Sequence, residues 1–296
     1  MYANAGASCK DRLMSTSSGD SRRRRGLFIT FEGGDGAGKT TQIEHVKEWF
    51  DQAGCVSFVT REPGGTDMGN QLRQLIQHGP EDVDPRTEAL LYAADRAYHV
   101  ATVIRPALAA GQVVLADRFI DSSVAYQGAA RELGVDEVLA LSKWATEDLS
   151  PDLTLLLDLP PEVGARRGTA SHTADRIERE SMDFHERVRH EYLHLADRYP
   201  DRIVVIDAVG TPEEVFREIR GVLEERVRPA LGLLVNHEAH DQVELSATES
   251  PQSNAPAPEH AASQTGDEDR VGTMVAALLK ESQGTLWEGD SEGLLC

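Results

Sequence analysis

One short stretch constrains this chain more than any other. Gly33-Gly34-Asp35-Gly36-Ala37-Gly38-Lys39-Thr40 follows directly on the apolar run Leu27–Phe31 and leads into Thr41-Gln42-Ile43. A buried strand ends, a glycine loop turns and a helix begins. The glycines let backbone N–H groups converge on phosphate oxygens, Lys39 adds a point charge for the β- and γ-phosphates, and the Thr40 hydroxyl is a Mg²⁺ ligand. The helix N-terminus adds a dipole that favours anions. Gly33, Gly34, Asp35, Gly36, Ala37, Gly38, Lys39, Thr40 and Thr41 are therefore expected to hold a nucleoside triphosphate, which leaves open what the phosphate is used for.

Four further β-type runs follow, at Val56–Thr60, Val113–Ala116, Leu153–Leu157 and Ile203–Ile206. Helical periodicity fills the gaps at Gln42–Ala53, Thr87–Ala110, Asp136–Glu147, Phe184–Tyr199 and Pro212–Arg226. Strands alternating with helical crossovers predict an α/β fold, a five-stranded parallel sheet flanked by helices. Such sheets bind ligands beyond the carboxyl ends of their strands, which puts the phosphate loop, Thr60-Arg61-Glu62 and Asp117-Arg118 along one crevice.

The formal net charge of −20 would oppose phosphate ligands if it were spread evenly. It is not: the stretch from Asn236 to Cys296 holds twelve acidic and two basic residues, half of the total. That stretch is rich in Ser, Ala, Pro, Gln and Glu, and is expected to be a disordered acidic tail from residue 231 on. Val271–Leu279 within it reads as a transient amphipathic helix. Residues 1–25, ending in Arg22-Arg23-Arg24-Arg25, read as a solvated basic leader, without the apolar core of a secretory signal. Residues 26–230 are left as the nucleotide-binding domain. No run is long and apolar enough for a membrane span. Cys9, Cys55 and Cys296 lie far apart, which suits a reducing cytoplasm without a disulfide framework. Neither a nucleic acid nor a membrane is expected as a partner.

The third strand ends in Asp117-Arg118. An acid at a strand end opposite a phosphate loop is placed to orient Mg²⁺ or its water, and an arginine beside it can grip an anion with two parallel hydrogen bonds. Asp117-Arg118-Phe119-Ile120-Asp121-Ser122-Ser123-Val124-Ala125-Tyr126-Gln127-Gly128 resembles a signature of the thymidylate kinases. Phe31–Thr40, Thr60-Arg61-Glu62-Pro63-Gly64-Gly65-Thr66 and Asp175-Arg176-Ile177-Glu178 resemble that family's phosphate loop, second-strand motif and lid end, in order from about Leu27 to Arg226.

The resemblance implies transfer of the γ-phosphoryl group of ATP, with Mg²⁺, to the 5′-phosphate of dTMP, and it implies a homodimer with Asp136–Glu147 near its face. Lys39 suits the donor end and Arg118 the acceptor phosphate. The polar segment Val163–Arg176 suits a lid. The phosphate loop holds no arginine, so the lid is expected to supply the catalytic charge from Arg167 and Arg176. By the same matching, Tyr92 stacks on thymine and Arg96 donates to its O4, where the amino group of cytosine would clash. Ser123 contacts the base edge, Tyr126 disfavours a ribose 2′-hydroxyl, and Asp35 meets the 3′-hydroxyl. Arg61 and Gln127 complete the substrate set. Glu62 joins Thr40 and Asp117 as a metal candidate, and Pro63 is a candidate for a cis bond. Asp207–Thr211 flanks adenine.

Two other readings stand beside this one. A deoxynucleoside kinase would phosphorylate a 5′-hydroxyl and would want a carboxylate base near it. A nucleotide-dependent regulator would act through the acidic tail.

Overall fold

The computed structural model describes residues 25–168, 175–229 and 231. Residues 1–24 of the expected leader, residues 169–174, and the acidic tail beyond residue 231 with its amphipathic stretch lie outside them. Five parallel strands, β1 (Phe28–Glu32), β2 (Ser57–Arg61), β3 (Val113–Asp117), β4 (Leu153–Asp158) and β5 (Ile203–Asp207), form one sheet in the order β2-β3-β1-β4-β5. β1 is central and wholly buried, its apolar residues interrupted only by Thr30 and Glu32, as suits a strand covered on both faces. β2 is an edge strand, and Phe58 and Val59 are accordingly exposed.

Successive residues of β1 point to opposite faces and seed two cores. Ile29 and Phe31 pack with Val46, Phe50, Val215 and Ile219, under α1 (Lys39–Gln52) and the C-terminal helix Pro212–Val222. Phe28 packs with Phe119, Ile104, Val188 and Leu195 on the other face. The remaining helices are α2 (Asp67–His78), α3 (Pro85–His99), α4 (Arg105–Ala109), α5 (Ile120–Ser123), α6 (Val135–Thr146), α7 (Pro161–Gly168) and α8 (Met182–Arg198), with Pro212–Val222 as α9. Their starts follow capping chemistry. Thr66 accepts from the Gly69 N–H, Asp84 caps α3 ahead of Pro85, and Thr211 with Glu214 forms a reciprocal box.

The expected single helix over Thr87–Ala110 is instead α3, a π-helical stretch Val100–Ile104, and α4. Pro106 has no N–H to continue the ladder, and a widened turn lets the chain pass it without stopping. Cys55 is buried at the end of the α1–β2 connection.

Candidate active site

The loop after β1 is shaped by positive φ at Gly33 (132°), Gly36 (74°) and Gly38 (88°). A Cβ on Gly33 would lie 2.4 Å from the Leu157 carbonyl oxygen, so the residue is fixed by contact as well as by conformation. α1 begins at Gly38 with no side-chain cap, which leaves its first N–H groups for an anion. Lys39 is buried and folds back over the loop, donating to the carbonyls of Gly33 (3.2 Å) and Gly34 (3.0 Å). Burial, then the neighbouring Arg118, pushes its pKa below the usual lysine range.

β3 delivers Asp117 and Arg118 beside this loop. Arg118 takes φ 68°, and its N–H bonds to the Phe31 carbonyl (3.0 Å), which ties the end of β3 to the end of β1. Its guanidinium donates to Asp35 Oδ1 (2.5 Å), the Gly33 carbonyl (3.0 Å), Ser122 Oγ (3.2 Å) and the Tyr192 hydroxyl (3.3 Å), and lies 5.2 Å over the Tyr126 ring. The Tyr126 hydroxyl donates to Asp35 Oδ2 (3.2 Å). Burial alone would raise the Asp35 carboxyl, but Arg118, then Lys39 and His185, outweigh it and hold the group below the usual aspartate range. Asp117 Oδ1 is buried without a hydrogen-bond partner among the described residues. An orphaned carboxylate oxygen beside Lys39 suits a Mg²⁺ ion or its water. Thr40 is exposed at the mouth of the same loop.

Arg96 lies fully buried on α3. It donates through Nε to Glu62 Oε2 (2.7 Å), through Nη1 to Ser142 Oγ (3.1 Å), and through Nη2 to the Phe119 carbonyl and Ser123 Oγ (both 3.0 Å). Four of its five N–H groups are thereby spent, and one on Nη1 is left for a ligand carbonyl. Glu62, expected as a metal candidate, is buried with both oxygens engaged: the second takes His99 Nδ1 at 2.9 Å, so the side chain holds the arginine. Thr60 pairs with His99 Nε2 (2.6 Å). The Glu62–Pro63 bond is cis. Tyr92 sits half-buried one helical turn from Arg96. Gln127 is buried and donates to Glu88 (2.9 Å), another carboxylate of α3.

α7, not an irregular loop, opens the expected lid. Its Gly164 presses on the phosphate loop: a Cβ there would meet the Asp35 carbonyl oxygen at 2.3 Å, and one on Gly36 the Gly164 carbonyl oxygen at 2.4 Å. Arg167 donates to the carbonyls of Ala208 and Val209 (both 2.9 Å), within the loop expected beside adenine. Arg176, expected to supply catalytic charge, is engaged away from the phosphate loop. It is buried, bonded to Glu88 (2.7 Å) and the Ile76 carbonyl (3.0 Å), and so anchors the lid's far end to α2 and α3.

Sequence reasoning missed Arg73. Its Cδ and Arg61 Nε lie 3.2 and 3.5 Å from where a Gly64 Cβ would stand, so the two cations flank the Pro63–Gly64 turn. Arg73 donates to the Pro63 carbonyl (3.0 Å); burial, then Arg61, lowers its pKa. Two cations held together want an anion. Arg73 lies on α2, a helix the sequence reading did not expect.

A phosphate loop, a second cluster of cations next to it and a separate buried polar pocket define a P-loop phosphotransferase that joins two phosphorylated ligands, a nucleoside monophosphate kinase. The thymidylate kinase family model matches residues 31–219. The chain is 55% identical over 205 residues to the thymidylate kinase of Leifsonia xyli subsp. xyli, covering 69% of this chain and 97% of that one. It is 54% identical to that of Clavibacter sepedonicus (66% and 93% covered) and 48% identical to that of Bifidobacterium longum (68% and 98% covered). The chain belongs to the thymidylate kinase family.

Proposed function

We propose that the chain transfers the γ-phosphoryl group of ATP to dTMP, giving dTDP and ADP, in dTTP synthesis. The carrying observation is Arg118. The guanidinium expected to grip the acceptor phosphate is bonded to the Gly33 carbonyl of the donor's own loop, so both phosphates converge within one side chain's reach. An oxygen of the dTMP phosphate attacks the γ-phosphorus, the bridging P–O bond breaks, and the electron pair leaves on the β-phosphate of ADP. The attacking oxygen is already anionic and needs no base.

Lys39 and the uncapped start of α1 hold the donor. Arg118, Arg61 and Arg73 hold the acceptor phosphate. Arg167 leaves its two carbonyls to meet the transferred group. Thr40 and Asp117 would hold Mg²⁺, which neutralises phosphate charge when bound. Arg96 and Ser123 read the base edge, Tyr92 stacks on the ring, and Tyr126 and Asp35 face the sugar. Arg96 offers only donors, which suits the O4 of thymine or uracil and opposes the amino group of cytosine.

The family resemblance and the exposed apolar side chains of α3 and α6 support a homodimer: Trp144 is 80% exposed, Leu90 57% and Tyr98 44%. No helix among the described residues is long and apolar enough to cross a membrane, and we place the enzyme in the cytoplasm. ADP release with dTMP, dUMP, CMP, AMP, GMP and thymidine as separate acceptors tests the reading. Turnover is expected with dTMP, and with dUMP reduced by about 10–200-fold, the scale of one methyl-sized group. Preference for a purine monophosphate, or for thymidine, would overturn it.

A further inference from the structure

Glu32, the last residue of β1, is fully buried and makes no direct ion pair among the described residues. Its Oε1 accepts the Phe119 N–H (2.8 Å). Its Oε2 stands 2.6 Å from Ser122 Oγ and 3.0 Å from the Tyr192 hydroxyl, and those two hydroxyls are 2.8 Å apart. Three oxygens thus make a triangle with three hydrogen-bonding edges, but the two hydroxyls supply only two protons. A proton on the carboxyl closes the triangle. Arg118 Nη1 donates to both hydroxyls from the other side, so the triangle is the seat on which this guanidinium rests.

We propose that Glu32 is a positioning residue for the acceptor phosphate: as a neutral acid it completes a ring with Ser122 and Tyr192 that sets Arg118. The inference rests on the reading of Arg118 given above. When the proton leaves, one edge of the ring loses its hydrogen bond. A buried negative charge then stands one hydroxyl away from Arg118 and competes with the dTMP phosphate for it. Burial, then repulsion from Asp121, raises the Glu32 pKa to about 7, against the lowering effect of Ser122, Arg118 and the Phe119 N–H. The other groups acting on it are Lys39 from α1, Tyr192 from α8 and Arg202 ahead of β5. Arg202 grips Asp121 with two bonds of 2.6 and 2.8 Å, which offsets that carboxylate.

The test is steady-state kinetics of the full chain across neutral pH for wild type, E32Q and Y192F. The wild-type KM for dTMP is expected to rise by about tenfold as pH passes upward through neutrality, the scale of one charge-assisted hydrogen bond, with kcat changing less. E32Q cannot ionise and should lose that rise. The substrate's own second ionisation, near pH 6 for phosphate monoesters, is common to both proteins and cancels in their ratio. Y192F, which opens the triangle, should carry a raised KM at low pH. Infrared difference spectra of wild type and E32Q between acid and alkaline pH add a second readout: Asp95 contributes a carboxyl band to both, and a further band of protonated Glu32, present in the wild type alone, should disappear. Parallel pH profiles for wild type and E32Q, or no such band, would overturn the role of Glu32. Failure of the wild type to use dTMP at any pH would instead overturn the reading of the site.

Discussion

Arg118 shows how much one residue can be asked to do. Its backbone sits in the left-handed region, its N–H joins two strands, and its side chain links Asp35, the phosphate loop and the Ser122–Tyr192 pair. A lysine cannot reproduce a planar fork that serves several acceptors. R118K is therefore expected to lower kcat/KM for dTMP by about 100-fold or more, a magnitude typical of misplaced reacting groups, while ATP binding by the free enzyme changes little; steady-state kinetics and nucleotide titration check both. At Arg96 the dependence runs the other way. E62Q leaves a buried guanidinium short of its counter-charge, and about 3–5 kcal/mol of stability should be lost, measured by denaturant unfolding, together with a raised KM for dTMP. Asp95 gives a pH signature. Burial, then repulsion from Glu62, raises its carboxyl to about 6, and its Oδ2 has no hydrogen-bond partner among the described residues. A raised carboxylate pKa means stability lost as pH climbs from the unfolded value near 4 to about 6, on the order of 2–3 kcal/mol. D95N should flatten that part of the pH–stability curve, followed by thermal unfolding. Asp117 and Arg118 were legible in the sequence because a strand end and a motif marked them. Glu32 and Glu88 were not: a carboxylate in a strand or helix looks solvated until the fold shows what closes over it.

Elements explain where the lid reading changed. Both ends of the segment Val163–Arg176 are structured, and each is fixed to a different part of the molecule. α7 rests on the phosphate loop through the Gly36–Gly164 contact, while Arg176 plugs into α3 at Glu88. The sequence showed a polar, arginine-bearing stretch. It did not show that Pro161 starts a helix, or that Arg176 meets a buried carboxylate contributed from 88 positions upstream. R176A should therefore cost stability more than chemistry: about 3 kcal/mol lost in urea unfolding, as for one broken buried pair, with kcat reduced less than tenfold. A hundredfold fall in kcat with unchanged stability would return Arg176 to the reacting phosphate. The strands and the long helices fell close to their expected positions because period and run length are local. α2 and the Ile120–Ala130 helical segment were not among the expected helices, although Met68, Leu72, Leu75 and Ile76 give α2 an apolar stripe at helical spacing.

For the whole molecule, the five-stranded sheet with a core on each face is the frame, and the phosphate-binding residues hang from the carboxyl ends of its strands or from the helices that follow them, while Tyr92 and Arg96 come from α3. The described frame ends at residue 231, so truncation before Asn236 should leave kcat with dTMP intact; loss of turnover would favour a regulator acting through its tail. W144E should convert a dimer to a monomer in sedimentation if α6 forms the face. The frame also spreads charge unevenly along the acceptor's path. At one end Arg96 is already neutralised by Glu62, and the pocket there is electrically quiet. At the other, Lys39, Arg61, Arg73 and Arg118 outnumber Asp35 and Asp117. A ligand negative at one end and neutral at the other enters such a gradient already turned the right way round. A nucleoside without its phosphate feels no torque. It would be not merely a weaker guest but an unoriented one, so discrimination against it begins before any contact is made.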